Sequence, residues 1–440
     1  MSDTLERTLG LKELLFIVIG TVIGSGIFLV PGAVLRQTGG FVGVALLVWL
    51  LGGILSLLGA LTYGELGAMD PKAGGLYVYL RDAFGPGLAF VYGWTQFFVI
   101  GGGSNATLAV AAPEYLDKLI PIGVVGRKLV SIALLTIVAI INIRGTRQSA
   151  NVQNVTTIIK VGALLVMSVI LIGAGHGFAE ASGRWWPDSL NLQVFSGIGL
   201  GLIGVLWAYE GWTYVTFSAG EAKDPQRTFP RGLVLGSSAL IFIYVFAVVG
   251  YIAALGPERL AASSRVAADA VGAIIGPVAA NLIAVAILIS IFSALNGLAL
   301  TAPRVYFAMA RDRVFFQRLA EIHPRFGTPA FSIITSTVWS MVLALTGTFE
   351  QLLTYVVFVG WIFYGLGAIA VPVFRRTRPD VPRSFRVPGY PITPLLFVLA
   401  ALGIVLNTVV SQPGRAGIGI AVVLTGVPAY FIWRRKAAAP

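Results

Sequence analysis

The fold class this sequence predicts is an all-α polytopic membrane protein with twelve transmembrane helices, and three observations predict it. Of the 440 residues 57% are apolar and 11% charged, less than half of the roughly 25% charge of an ordinary soluble domain. Apolar runs long enough to cross the hydrocarbon core of a bilayer recur twelve times along the chain. With the N-terminus placed in the cytoplasm, the inner segments hold 22 of the 31 Lys and Arg, the outer ones hold 8, and one lies mid-span, as the positive-inside rule requires. The net charge of +12 is then a solvated cytoplasmic face close to anionic lipid, which gives no case for nucleic acid. Gly 53 and Pro 22 are counts that membrane helices tolerate, because neighbouring helices re-satisfy freed backbone groups.

Several function classes are excluded at once. The chain has no Cys, hence no disulfide framework, thiolate metal site, nucleophilic Cys or disulfide-linked partner subunit. Two histidines, His176 and His323, do not make a metal cluster, and no cofactor or metal is expected. No Walker A, HExxH or G-x-S-x-G pattern occurs, and the GxGxxG at Gly199–Gly204 lies inside an apolar helix without the strand that a dinucleotide site needs. The first apolar run follows Glu6, Arg7, Lys12 and Glu13 and is succeeded by further spans, so it is expected to stay in the protein. The longest polar connections, 175–194, 256–277, 309–328 and 375–394, leave no room for a soluble domain. Residues 1–440 therefore read as a single transmembrane domain.

In chain order the expected spans lie near 14–36, 41–69, 86–112, 124–143, 151–174, 195–219, 232–255, 278–308, 329–346, 351–374, 395–411 and 416–433. The first carries Gly20, Gly24, Ser25 and Gly26 at its middle, and the sixth carries Trp207-Ala208-Tyr209-Glu210-Gly211-Trp212. Two interrupted helices, each opening a group of five spans, point to a five-plus-five inverted repeat over 14–174 and 195–374, with 395–433 adding two helices and a site at the midplane where the broken ends meet. Close helix packing through small residues is the plainer account of a Gly20-xxx-Gly24 pair. In the third span Asn105-Ala106-Thr107 reads as packing or as a third wall of the site.

Charges inside spans cost about 2.5–3.5 kcal/mol each at a helix centre, so each calls for a reason. Lys160 sits roughly 13 Å into the fifth span at 1.5 Å per residue. Its expected role is a fixed ammonium that ties the broken first helix to another span where a sodium ion would otherwise bind. Ser290, Ser293 and Asn296 recur at i, i+3 and i+6 in the eighth span and share one face as acceptors for it. Glu210, in the second break, is a counter-charge for a cationic group if ionised, a donor or proton-coupling site if protonated, or a cap for freed backbone amides. Trp207 and Tyr209 flank that break, Trp207 as a gate. Glu65, at the end of the second span, is expected to pair with nearby basic residues. Free N–H groups at the start of a half-helix favour a carboxylate, and free carbonyls favour an ammonium. A free L-amino acid satisfies both, its carboxylate held by Ile23, Gly24, Ser25, Gly26 and Ile27 and its amine by the carbonyls of Trp207, Ala208 and Tyr209.

Four blocks then carry a family resemblance: IGTVIGSGIF at 19–28, YGELGAMDPKAGGLYVYLRDAFGP at 63–86, WAYEGWTYVTFSAGEAKDPQRTFPRG at 207–232 and LNGLALTAPRVYFAMARDRVFFQRLAEIHPRFGTPA at 295–330. In this order they resemble the amino acid/polyamine/organocation (APC) superfamily, most of all its L-type amino acid transporter, light-chain-like branch. The resemblance implies the LeuT-like fold of twelve helices with helices 1 and 6 broken. It also implies alternating access and sodium-independent exchange of amino acids across the cell membrane, with both termini cytoplasmic. Lys160 matches the family lysine of the fifth helix, and Trp207 falls at the family's gating aromatic. At the position of Glu210 small residues accompany neutral substrates and an aspartate accompanies cationic ones, so both substrate classes stay open. Proton-coupled symport is the competing transport reading. A polytopic membrane enzyme or sensor is the reading from another class, and the sequence offers no acid, base and nucleophile cluster for it.

Overall fold

The computed structural model describes residues 7–438, and the described chain is helical apart from its connections. In order it forms α1 (Leu11–Val22), α2 (Gly26–Gln37), α3 (Val42–Met69), α4 (Leu76–Phe84) and α5 (Pro86–Thr95), then a π-helical turn at Gln96–Gly101 leading into α6 (Gly102–Leu119). There follow α7 (Gly123–Ile143), α8 (Thr146–Ala174), α9 (Gly177–Glu180) and α10 (Leu192–Ala208), then a 3₁₀ segment at Tyr214–Glu221. The remainder comprises α11 (Pro225–Ala262), α12 (Val266–Ile274), α13 (Pro277–Thr301), α14 (Pro303–Arg311), a 3₁₀ turn at Gln317–Ala320, α15 (Ala330–Thr346), α16 (Phe349–Thr377), α17 (Ile392–Ser411) and α18 (Pro413–Ala438).

Eight of the described helices are long and apolar enough to cross a membrane, and the bent pair α1–α2 makes a ninth. Three of the twelve apolar runs fall outside that count for local reasons. Run 86–112 is helical throughout but rewinds through the π turn between α5 and α6. Runs 195–219 and 329–346 hold helices of 17 residues each, the first because α10 breaks at Tyr209 and the second because α15 lies between Pro329 and Gly347.

Both interruptions follow from their residues. Glu13 accepts the Gly10 N–H at 2.8 Å and so caps α1. The helix then ends because Ile23 turns extended before Gly24-Ser25, and α2 leaves at 46° to α1. After α10 the chain turns through Gly211 at φ +120°, a conformation closed to residues with a side chain. Helix α11 packs along α1, α3 and α8, and α13 packs along α6 and α8, so the broken helices run through the middle of the bundle. They meet backbone to backbone: a Cβ on Gly26 would lie 2.6 Å from the Cα of Ala208.

On the face that carries the N-terminus, Glu65 behaves as expected from sequence. Its carboxylate, 2% exposed, takes Arg375 Nε and Nη2 at 2.9 and 2.6 Å, the Val387 amide at 2.8 Å and Arg383 Nε at 3.4 Å. It thereby fastens the connection between α16 and α17 to the end of α3. Breaking a buried ion pair leaves the partner charge stranded, so Glu65→Ala is expected to cost about 3 kcal/mol, read as a lower midpoint of thermal unfolding in detergent. An unchanged midpoint would assign the fastening of residues 378–391 to other contacts.

Candidate functional site

The site is organised around the backbone carbonyls that the two breaks set free. Lys160, on α8 and 1% exposed, donates to Gly20 O at 2.5 Å, to Ile23 O at 2.6 Å and to Ser290 O at 3.5 Å. These use all three donors of the ammonium. Ser290 Oγ reaches the same break from α13, with Ile23 O at 3.0 Å and Gly24 O at 3.2 Å. Tyr244 of α11 spans both breaks: its hydroxyl lies 3.0 Å from Val22 O and 2.9 Å from Ala208 O. Nothing in the apolar run 232–255 singled out Tyr244 beyond the general rule that a hydroxyl at that depth needs an acceptor.

Between the breaks lies a closed cavity of about 20 Å³, lined by Thr21, Val22, Gly24, Ser25, Gly26, Ser104, Leu108, Trp207, Glu210, Tyr214 and Leu298. That volume holds a water molecule, so admitting anything larger requires its walls to part. The opening amides of α2, Gly26 and Ile27, lack intrahelical acceptors as at the start of any helix. Ser25 Oγ and Thr21 Oγ1 are buried with no hydrogen-bond partner. Glu210 closes one side. Its Oε1 accepts the Tyr364 hydroxyl at 2.5 Å, and the Tyr214 hydroxyl, on the same cavity, lies 3.1 Å from Ser104 Oγ. Glu210 is thus tied to α16, and Tyr214 to the π-turned helix α5–α6.

The other residues singled out in the sequence are distributed differently. Trp207 lines the cavity, and one turn away Ile203 lines a depression shared with Val30, Gln37 and Arg415 on the face opposite the N-terminus. Tyr209 turns outward, its ring 4.9 Å from Tyr244 and 6.2 Å from Trp49. The Trp207 carbonyl accepts the Glu210 amide at 3.0 Å. Asn105 is buried next to Ser104 and is not among the lining residues. Ser293 and Asn296 join a separate polar network: Thr156 Oγ1 donates to Ser293 Oγ at 2.9 Å, and Asn296 bonds Asn142, the Ser149 carbonyl and Gln153. Of the three acceptors expected for Lys160, Ser290 alone reaches its break.

A buried ion pair holds the end of the 3₁₀ segment that follows the second break. Arg304 Nε lies 2.8 Å from Glu221 Oε1, Nη2 lies 3.3 Å from Oε2, and Nη2 also donates to Thr146 Oγ1 at 2.9 Å. The Glu221 carbonyl accepts the Leu9 amide, and the Lys223 amide returns to the Leu9 carbonyl. The segment after α10 is in this way held both to α14 and to the N-terminal strand of chain.

Comparison with known proteins places this arrangement. Residues 9–430 match the family model described as amino acid permease. The chain is 32% identical over 442 residues to the serine/threonine exchanger SteT of Bacillus subtilis, covering 99% of this chain and 98% of that protein. It is 31% identical over 444 residues to the human large neutral amino acids transporter small subunit 2, covering 98% of this chain and 82% of that protein. It is also 32% identical over 449 residues to the human cystine/glutamate transporter, with coverage of 98% and 87%. Transmembrane helices, two breaks facing one cavity and a family match over nearly the whole chain lead to one conclusion: this chain belongs to the amino acid permease family of the APC superfamily and is a secondary transporter of amino acids, not an enzyme.

Proposed function

We propose that the protein exchanges neutral L-amino acids across the plasma membrane by sodium-independent antiport. The observation that carries this reading is Lys160, whose ammonium already occupies the carbonyls of Gly20 and Ile23 where a coupling cation would need them. The substrate carboxylate is held by the amides of the 23–27 break and the unpartnered hydroxyls of Thr21 and Ser25. The amine is held at the second break by carbonyls with a lone pair to spare, Ala208 O among them. Asn105, Ser293 and Asn296 act behind these contacts rather than in them.

Neutral substrates are favoured because the carboxyl of Glu210 is buried and already engaged by Tyr364, leaving less of it for a cationic side chain. In this reading the spans form a twelve-helix, five-plus-five inverted repeat of the L-type branch, 14–174 against 195–374, with 395–433 appended and both termini cytoplasmic. The closed cavity opens alternately by release of the Glu221–Arg304 pair on one side and by movement of Trp207 on the other. The similarity to a protein described as a serine/threonine exchanger supports exchange. With no Cys in the chain, no disulfide-linked subunit takes part.

Purified protein in liposomes tests this. Labelled serine, alanine or leucine is expected to enter only vesicles preloaded with amino acid, at the same rate in sodium and in choline; uptake into empty vesicles driven by a pH gradient would replace exchange with proton symport. Lys160→Ala deserts the Gly20 carbonyl and leaves that of Ile23 to Ser290 alone; with about 1.5 kcal/mol for each of the two lost charge-assisted bonds, exchange is expected to fall roughly a hundredfold in a folded protein. Near-normal rates would remove the bridging role. Tyr364→Phe frees one oxygen of Glu210, and competition by arginine and lysine against labelled leucine is expected to rise several-fold. Competition that stays as weak as in the parent protein would take Glu210 out of substrate selection.

A further inference from the structure

Behind the wall of the candidate site lies a second, larger cavity of a different character. It is a groove of about 460 Å³ between the π-turned helix α5–α6, α15, α16 and α18, lined among others by Trp94, Phe98, Trp339, Leu343, Gln351 and Val422. Its back wall is the π turn at Gln96–Gly101 and the residue Gly103, while the next residue, Ser104, lines the candidate site on the other side of the same helix. Both indoles on the groove have polar partners within the protein. Trp94 Nε1 donates to Thr425 Oγ1 at 3.0 Å, and Trp339 Nε1 donates to Phe98 O of the π turn at 3.0 Å. Its walls therefore present hydrocarbon along most of their length.

The groove continues into the surface that the spans turn toward the bilayer. Val338, Val342 and Leu345 of α15 and Ile418 and Leu424 of α18 are between 40% and 58% exposed, and Ile418 lines the groove itself. One end is polar: at the turn between α15 and α16 the groove meets Thr346 and Gln351, beside the capping box in which Thr348 and Gln351 satisfy each other's amides. An apolar channel open to hydrocarbon, with hydrogen-bonding groups at the end nearest the membrane surface, matches an amphiphile lying along the membrane normal. We propose that this groove is a binding site for one acyl chain of a bilayer phospholipid, its polar region at Thr346–Gln351 and its chain against Trp94 and Trp339. The chain then packs on the π turn from the side opposite the cavity and completes the support of the helix that presents Ser104.

Native mass spectrometry tests it on the full chain extracted into mild detergent from vesicles of phosphatidylethanolamine and phosphatidylglycerol. The parent protein is expected to retain one phospholipid through delipidation, and Val422→Trp and Leu343→Trp, which fill the groove from opposite walls, are expected to lose it. A bromine-labelled acyl chain is expected to quench the tryptophan fluorescence of the parent protein more than that of Trp94→Phe/Trp339→Phe. No retained lipid, equal retention in both filled variants, or quenching that is the same with and without Trp94 and Trp339 would each overturn the proposal. Displacement of the phospholipid by cholesterol added to the vesicles at a tenth of its amount would assign the groove to a sterol and likewise overturn it.

Discussion

Everything around the site depends on one constraint: a helix interrupted inside a bilayer exposes backbone oxygens that no water is present to satisfy. Here the carbonyls of Gly20, Val22, Ile23, Gly24 and Ala208 are met by side chains from helices that are themselves unbroken at that depth. Lys160 comes from α8, Ser290 from α13 and Tyr244 from α11. These three residues join the two breaks to the helices around them. They also set the chemistry, because they consume carbonyls and leave amides and hydroxyls facing the cavity.

The same accounting explains Glu210. A carboxyl beside a helix break, with no cation in contact, is costly unless donors surround it. Tyr364 is such a donor, and Tyr214 on the same cavity is itself joined to Ser104 of the π-turned helix. Glu210 is therefore as much a tie to α16 as a group available to a ligand. A chemically similar but shorter side chain at this position would lie farther from the Tyr364 phenol.

How much of this was legible in the sequence varied with the physics involved. The membrane class, the two breaks and the depth of Lys160 were legible because each rests on a property local in sequence: apolar run length, clustered glycine, a charge far from any span end. Glu65 was legible because it stands at a span end on the side rich in arginine. Tyr244, Tyr364 and the Glu221–Arg304 pair were not, since their partners lie 36 to 222, 154 and 83 residues away and a single tyrosine in an apolar run carries no pattern. Ser293 and Asn296 show the limit of face arguments. The spacing places them on one face with Ser290, but the face extends over two turns, and only its upper end reaches the first break while the rest meets α7 and α8. Counting spans was sound where helices are straight and less so where a π turn or a break shortens the regular stretch.

The contact between Gly26 and Ala208 has a mechanical consequence. Because α2 and α10 touch at Gly26 and Ala208 with no side chain between them, and the Tyr244 hydroxyl lies within hydrogen-bond reach of the last carbonyl of α1 and the last of α10, there is little slack at their crossing. The two half-helices therefore cannot slide past each other at their crossing without displacing one another's backbone.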